Sequence, residues 1–379
     1  MAGIMSCNPM LGQYGPCLGQ VTPVAEDCFS LLDENCNGIP SCEGAALWAT
    51  GFGNGLSAQG SDIAVSLLGD VYTVGSFDAS IDFGTGALVS AGSTDIFLVK
   101  QSASGATLWS KRIGGTGLDS GLSVDLDGSG NPLVTGVISD TVNVDGVSNL
   151  VSAGNGDIFV AKFNANGVHQ WSTRFGGPSY DGGFGITSNA AGDVFVTGTA
   201  SGDVFPGVAG IGASDAFILA LDGNSGAIAW AQVHGGGTAA GFGLDVVGGE
   251  LWATGYFSQS IDFGAGVHNS IGGTDMFVAK LDALDGSYVW SGNYGGTGAD
   301  AGNAIAVDPS TGNAYVTGRY TGAADFGGGQ LPIAGNRDIF VVGLNTNVGH
   351  LWSHGWGGPL ADDGLGIAFG AGGVVMTGR

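Results

Sequence analysis

The stretch LWSKRIGG (108–115) returns as QWSTRFGG (170–177), AWAQVHGG (229–236), VWSGNYGG (289–296) and LWSHGWGG (351–358). A degraded copy opens at ALWATGFG, so that Trp48, Trp109, Trp171, Trp230, Trp290 and Trp352 fall 59 to 62 residues apart. Behind each Trp the text keeps one order. GLSVDL, GFGITS, GFGLDV, NAIAVD and LGIAFG come first, and then PLVTG, VFVTG, LWATG, AYVTG and VVMTG. DIFLVK, DIFVAK, DAFILA, DMFVAK and DIFVVG supply the remaining run. Self-similarity at a fixed period marks a repeat architecture.

Each run is four to eight residues, rich in β-branched and aromatic side chains, and bounded by Gly, Asp, Asn or Ser. That is how strands read. Four strands per period, in units that cannot bury their faces alone, make a propeller blade. In DIFVAK the Phe and Ala point one way and the Ile and Val the other, as a sheet covered on both faces requires. A β-helix would have shorter coils. The expected fold is all-β, a β-propeller of four-stranded blades of about 61 residues, with five full repeats and a partial sixth.

The repeat resembles the bacterial β-propeller family of SBBP repeats, found in large exported surface proteins. The W-S-x3-G-G, V-T-G and D-I-F-V-A-K motifs carry the resemblance, which covers Ala46 to Arg379. It implies the fold and an exported setting, and no single activity. The strand count gives Leu47–Phe52, five blades, and then two strands. Leu47–Phe52 is expected to complete the last blade, which still lacks a D-I-F strand. The chain is then a fragment, the ring is open, or another segment or chain supplies the strand.

Composition agrees with short strands and tight turns. Of 379 residues 76 are Gly, 11% are charged and 44% hydrophobic. The chain is too apolar for disorder, and so much Gly excludes a helical bundle or coiled coil. A net charge of −24 excludes a nucleic-acid binder, since the phosphate backbone would be repelled. No apolar run approaches the length of a membrane-spanning helix. No signal peptide is visible at MAGIMSCNPM.

Residues 1–45 read differently from residues 46–379. Cys7, Cys17, Cys28, Cys36 and Cys42 hold every cysteine of the chain. Dense Cys in a short segment points to disulfides and an oxidising compartment, and no C-x2-C pair suggests zinc. The odd count leaves one thiol free or paired upstream of Met1. The expectation is an extracellular or outer-surface protein with a longer parent. G-P-C, V-T-P-x-x-E-x-C and D-E-N-C-N-G resemble the Cys-rich metal-binding segment of myxobacterial exported proteins. Members of that group more often carry an all-acidic D-x-D-C-D-G, where this chain has Asn35 and Asn37. Separately, Asp33, Asn35, Asn37 and Gly38 match positions 1, 3, 5 and 6 of a calcium loop, but position 12 is Gly44. The alternatives are a calcium site and a disulfide-stapled acidic turn.

Within the repeats, the chain serves as its own alignment. Asp95, Asp157, Asp215, Asp275 and Asp338 recur in every D-x-F run, which marks architecture: an Asp at a strand start fixes a turn by accepting backbone N–H groups. The repeat tryptophans and the V-T-G threonines read the same way. The lysines that end the run (Lys100, Lys162, Lys280) are not constant and read as solvated ends. Asp119, Asp181, Asp300 and Asp362 follow the G-G pair, with Ala240 in the fourth copy; turn capping and calcium binding are both open to them. Asp125, Asp127, Ser129 and Asn131 have calcium-loop spacing, but a D-G turn is expected between strands there. Trp356 offers an aromatic face for sugars.

No G-x-S-x-G or H-E-x-x-H occurs. His350 and His354 would stand about 13 Å apart on a strand, too far for one metal. Spacing alone does not reveal a carboxylate pair in a central funnel. Three functions follow. The first is a non-enzymatic scaffold or recognition module for a protein or glycan, stabilised by calcium. The second is an enzyme, a lyase or glycan hydrolase, marked by one asymmetric blade. The third is a structural spacer in a larger adhesin-like protein.

Overall fold

The computed structural model describes residues 48–53, 57–370 and 373–379. The five cysteines and Asp33, Asn35 and Asn37 lie outside the described residues. A compact unit runs from Phe52 to Arg379, and it contains strands and turns with no helix among the described residues. Five antiparallel sheets share one four-strand plan. The second of them is typical. Its inner strand Ser120–Leu126 pairs with Pro132–Ile138, that strand with Asp157–Phe163, and that with His169–Phe175. The other inner strands are Ala58–Val65, Gly182–Ser188, Ala239–Val247 and Ala301–Val307. A sixth sheet holds two strands, Gly364–Gly370 and Gly373–Gly378. The inner strands pack side by side in chain order. This is a β-propeller.

Leu47–Phe52 does not behave as expected: residues 48–53 form no strand. Its expected place is the outer edge of the last blade, but an outer strand pairs with a third strand, and among the described residues that sheet holds only Gly364–Gly370 and Gly373–Gly378. The connection between second and third strands carries an added hairpin that differs from blade to blade. Ser80–Asp82 pairs with Ala87–Val89, and Ser260–Asp262 with Val267–Asn269. Thr141–Val144 and Ser148–Val151 instead extend the preceding blade's sheet to six strands.

The third strands form the core. Asp157–Phe163 and Asp215–Leu221 are buried at every position. Alternation sends Phe159, Ala161 and Phe163 against Tyr72, Val74 and Leu98 of the blade before. Ile158 and Val160 meet Val196 and Phe217 of the blade after. Each of the Val, Leu, Ile and Phe side chains contributes about 1.5–3 kcal/mol on full burial.

The repeated glycines have a steric cause. In V-T-G the glycine lies under the Phe of the paired third strand and against the inner strand's backbone. A methyl at Gly198 would collide with the Gly182 carbonyl and the Phe217 ring. The inner-strand glycine approaches the preceding blade, where a methyl at Gly183, Gly241, Gly302 or Gly364 would strike the hydroxyl of Thr135, Thr197, Thr254 or Thr317. Those four hydroxyls are buried and donate to the carbonyls of Phe159, Phe217, Phe277 and Phe340 at 2.7–2.8 Å.

Gly198→Ala is therefore expected to cost about 1–3 kcal/mol, the usual range for overpacking, and to lower the melting temperature by several degrees. Gly128→Ala, at a turn with open space around it, is expected to stay within about 0.5 kcal/mol. Thermal denaturation of the two variants checks the pair; equal melting would remove the steric account.

Candidate functional site

An inner strand is an edge, and the N–H groups its own sheet leaves unpaired need partners. Aspartates of the preceding blade supply them. Asp62 accepts from Ser123 Oγ at 2.7 Å and the Val124 N–H at 3.0 Å. Asp125 accepts from Thr187 Oγ1 and the Ser188 N–H, both at 3.1 Å. Asp245 accepts from the Val307 N–H at 2.7 Å. Asp125, Thr187 and Asp245 occupy equivalent places on consecutive inner strands. They line a central cavity of about 290 Å³ whose walls include Ile186, Leu244 and Phe369. Burial pushes the Asp125 carboxyl up to about 6, and the charge of Asp245 adds to the effect. Burial raises Asp245 as well. The cavity thus pairs two hydrogen-bonded carboxylates with apolar walls. Sequence spacing did not reveal the pair, because it forms only when inner strands two blades apart face one space.

The D-x-F aspartates lie inside the blade junctions, where they are 0–2% exposed. Each accepts the N–H four residues before it: Ala91 to Asp95, Ala153 to Asp157, Ile211 to Asp215, Ile271 to Asp275 and Ala334 to Asp338, at 2.7–3.1 Å. The first glycine of G-G leaves room for them, since a methyl at Gly114, Gly176, Gly235 or Gly357 would collide with the carboxyl. Arg112 pairs with Asp95, and Arg174 with Asp157 at 2.6 Å.

The second aspartates begin the next blade. Asp119 accepts from the Gly115 and Ser139 N–H groups, Asp181 from Gly177 and Ser201, and Asp300 from Gly296 and Thr321, at 2.7–3.0 Å. Asp362 accepts from Gly358 at 2.8 Å. The fourth copy has Ala239 here, not Ala240: its turn is one residue shorter, and the Ala239 N–H bonds the Ser214 carbonyl as the Asp119 N–H bonds Thr94. Burial raises Asp119 to about 6, helped by the charges of Asp95 and Asp140. Asp300 rises to about 6 through burial and the charge of Asp275.

Asp125, Asp127, Ser129 and Asn131 do not converge. Asp125 faces the central cavity. Asp127 caps the turn through the Ser129 and Asn131 N–H groups and binds Asn131 Nδ2. The Lys162 ammonium stands 2.9 Å from it, where a cation would sit. Among the described residues no group of three or more His, Cys, Asp or Glu is placed to hold a metal ion.

The strand-end lysines are not solvated. Lys162 and Lys280 are 9% and 5% exposed. Lys100, Lys162 and Lys280 pair with Asp70, Asp127 and Glu250 at 2.6–2.9 Å. Their ammonium groups also donate to the carbonyls of Ala165, Gly223 and Thr346 in the next blade. The apolar stem lies buried while the charged head finds an acid. Trp109, Trp171 and Trp230 reach the same turns, donating from Nε1 to Ala165, Gly223 and Ala283. Trp290 and Trp352 hold the equivalent positions; Trp290 packs on the core of the fourth and fifth blades.

No family model matches the chain. Regulatory protein FlaEY of Caulobacter vibrioides is 30% identical over 176 residues, which is 44% of this chain and 18% of that protein. The uncharacterized WD repeat-containing protein L264 of Acanthamoeba polyphaga mimivirus is 26% identical over 162 residues, 35% of this chain and 12% of that one. The chain spans less than a fifth of the length of these relatives. Among solved structures, BamB from Moraxella catarrhalis matches at TM-score 0.40 and 15% identity, over 84% of this chain and 85% of that one. The Pan2 WD40 domain of Neurospora crassa matches at 0.41 and 13%, over 82% and 69%.

The raised carboxyls set a pH dependence. Asp119, Asp125 and Asp300 are pushed up to about 6 in the folded protein, against an ordinary carboxyl value of 3.8. Between those values the folded protein holds more protons than the unfolded chain, so stability falls as pH rises from about 4 to about 6 and then levels. Melting temperature is expected to be higher at pH 5 than at pH 7, and Asp125→Asn to reduce the difference while Asp119 and Asp300 maintain the remainder. A stability that rises over this interval would contradict the assignment.

Proposed function

We propose that the chain is a non-enzymatic recognition or scaffold module of the SBBP-repeat kind, exported or held at the outer cell surface, with a protein or glycan as its ligand. The observation that supports this reading is the division of labour along each repeat. The constant Thr, Gly and Trp residues are spent on joining blades, and the constant Asp on fixing the turn before each third strand. The hairpins between second and third strands differ in length, pairing and sequence. A rigid ring with variable loops is suited to binding. Calcium, on this reading, belongs to Asp33, Asn35 and Asn37 in the Cys-rich segment, where oxygen ligands alternate beside a Gly.

The central cavity favours one second reading. Asp125 holds its proton up to about 6 and faces Asp245, a pairing that general acid–base chemistry on a glycan would use. The two readings separate in one experiment on the full chain. Loss of a bound glycan or protein on exchange of the loop hairpins, with no effect of Asp125→Asn and Asp245→Asn, supports a recognition module. Turnover of an acidic polysaccharide that those two substitutions abolish supports the enzyme.

Calcium is expected to raise the melting temperature of the full chain over that in excess EGTA, and Asp33→Ala to remove the rise. A rise unchanged by Asp33→Ala would move the ion elsewhere, and no rise would end the calcium reading.

A further inference from the structure

Each inner strand carries a bulge, where one residue stands outside the register. In the third, fourth and fifth sheets it falls between Gly183 and Gly185, Gly241 and Gly243, and Gly302 and Ala304. A bulge re-aims the side chain it carries. The bulged residue lies two places before Ile186, Leu244 and Ile305, which line the central cavity, and so stands nearer the G-G turns. The chain again serves as its own alignment. Leu122 holds the bulge in the second sheet, but Phe184, Phe242 and Asn303 hold it in the next three. The residue after the second-strand glycine changes in step: Val137 and Thr199 give way to Tyr256 and Arg319. Positions that repeat carry the frame, and these do not repeat.

The five residues form one arc across three complete four-strand plans. The Phe184 ring lies 5.5 Å from Phe242, and Phe242 5.6 Å from Tyr256, between centroids. Arg319 follows, within electrostatic reach of Tyr256, and its Nη1 donates to Asn303 Oδ1 at 3.2 Å. The Asn303 amide is itself held, donating to the Gly364 carbonyl at 2.7 Å. All five side chains are half-buried. Arg319 differs from every other base of the chain. Eight of the nine Lys and Arg form ion pairs. Among the described residues no carboxylate pairs with Arg319, although the chain has 33 acids. A guanidinium offers a planar fork of N–H donors that matches a carboxylate, and here one donor is placed, on an amide oxygen.

We propose that this arc binds a glycan through one uronic acid unit, with the carboxylate on the Arg319 guanidinium and the apolar face of the sugar ring on Phe242 and Tyr256. Asn303 is a positioning residue that aims the guanidinium. Aromatic walls with a few placed polar groups are the usual make-up of a ligand site. A peptide strand finds no ladder here, because inner-strand N–H groups at Val124, Ser188 and Val307 are taken by aspartates of other inner strands. A polyanion is disfavoured by the net charge of −24, so the site suits a single acidic unit in an otherwise neutral glycan. The inference rests on the recognition reading and names its ligand. Exchange of the loop hairpins, which tests that reading, leaves all five residues in place, so the two can fail separately.

The test titrates the full chain with methyl glucuronide and with methyl glucoside, the same ring without the carboxylate, and follows binding by saturation-transfer NMR. The glucuronide is expected to bind saturably and the glucoside about ten-fold more weakly, the effect of losing a charged hydrogen-bonded contact. Arg319→Gln should bring the glucuronide down to the level of the glucoside. Arg319→Lys, which keeps the charge and loses the fork, should fall between. Phe242→Leu should weaken both sugars alike. Arg319 holds no ion pair, so melting of the two Arg319 variants should match that of the unchanged chain, which separates lost binding from lost folding. No binding of the glucuronide, equal binding of the two sugars, or glucuronide binding that survives Arg319→Gln overturns the proposal. Benzoate that binds more tightly than the glucuronide would make the ligand an aromatic acid and overturn it too.

Discussion

The structure depends on how closely one blade approaches the next. At the inner strand a glycine α-carbon rests on the threonine hydroxyl of the preceding blade, and nothing larger than hydrogen fits between them. That hydroxyl is buried, so it must donate, and the Phe carbonyl two strands out accepts it. That contact fixes the glycine of the inner strand and the threonine of the second, while the second-strand glycine is fixed by the inner-strand carbonyl and, at Gly198, by the Phe217 ring beside it. Neighbouring sheets brought this close can interleave their apolar faces, and the continuous core follows. Part of the glycine excess of the chain comes from these clearances, and a further 24 of the described glycines take positive φ, mostly in turns.

Much of this was legible in the sequence because repetition separates framework from accident. Strand type, blade phase and the structural part played by the D-x-F aspartates could be read from five aligned copies. What escaped is instructive. Leu47–Phe52 carries the text of an outer strand, but text cannot provide the neighbouring strand that pairing needs. The lysines looked dispensable because two copies lack them, yet where present they are buried. A variable residue can be interior when its partner varies with it, as Asp70, Asp127 and Glu250 do. The Asp125–Asp245 pair was hidden because it belongs to no repeat position that is conserved around the ring. It arises only once inner strands distant in sequence face a common space.

The acidity of the chain takes a different meaning in the folded state. Many of its carboxylates are not surface charge. They are acceptors for backbone N–H groups that turns and sheet edges would otherwise bury without partners. With only nine Lys and Arg among 379 residues, arginines and lysines go to a few of these sites. Others are satisfied by backbone amides alone, and burial then raises the acid, to about 6 at Asp119 and Asp300.

The contacts between blades share a direction. Threonine, tryptophan, lysine and the inner-strand aspartates of one blade all reach for backbone or glycine of the blade that follows, and none of these links runs backward. Each blade therefore carries a complete plug on one side and a complete socket on the other. A gene that duplicates one repeat adds a plug already matched to its socket and disturbs no existing joint. Such a chain can lengthen or shorten by whole blades without inventing a new interface, which makes the period itself the unit on which variation acts.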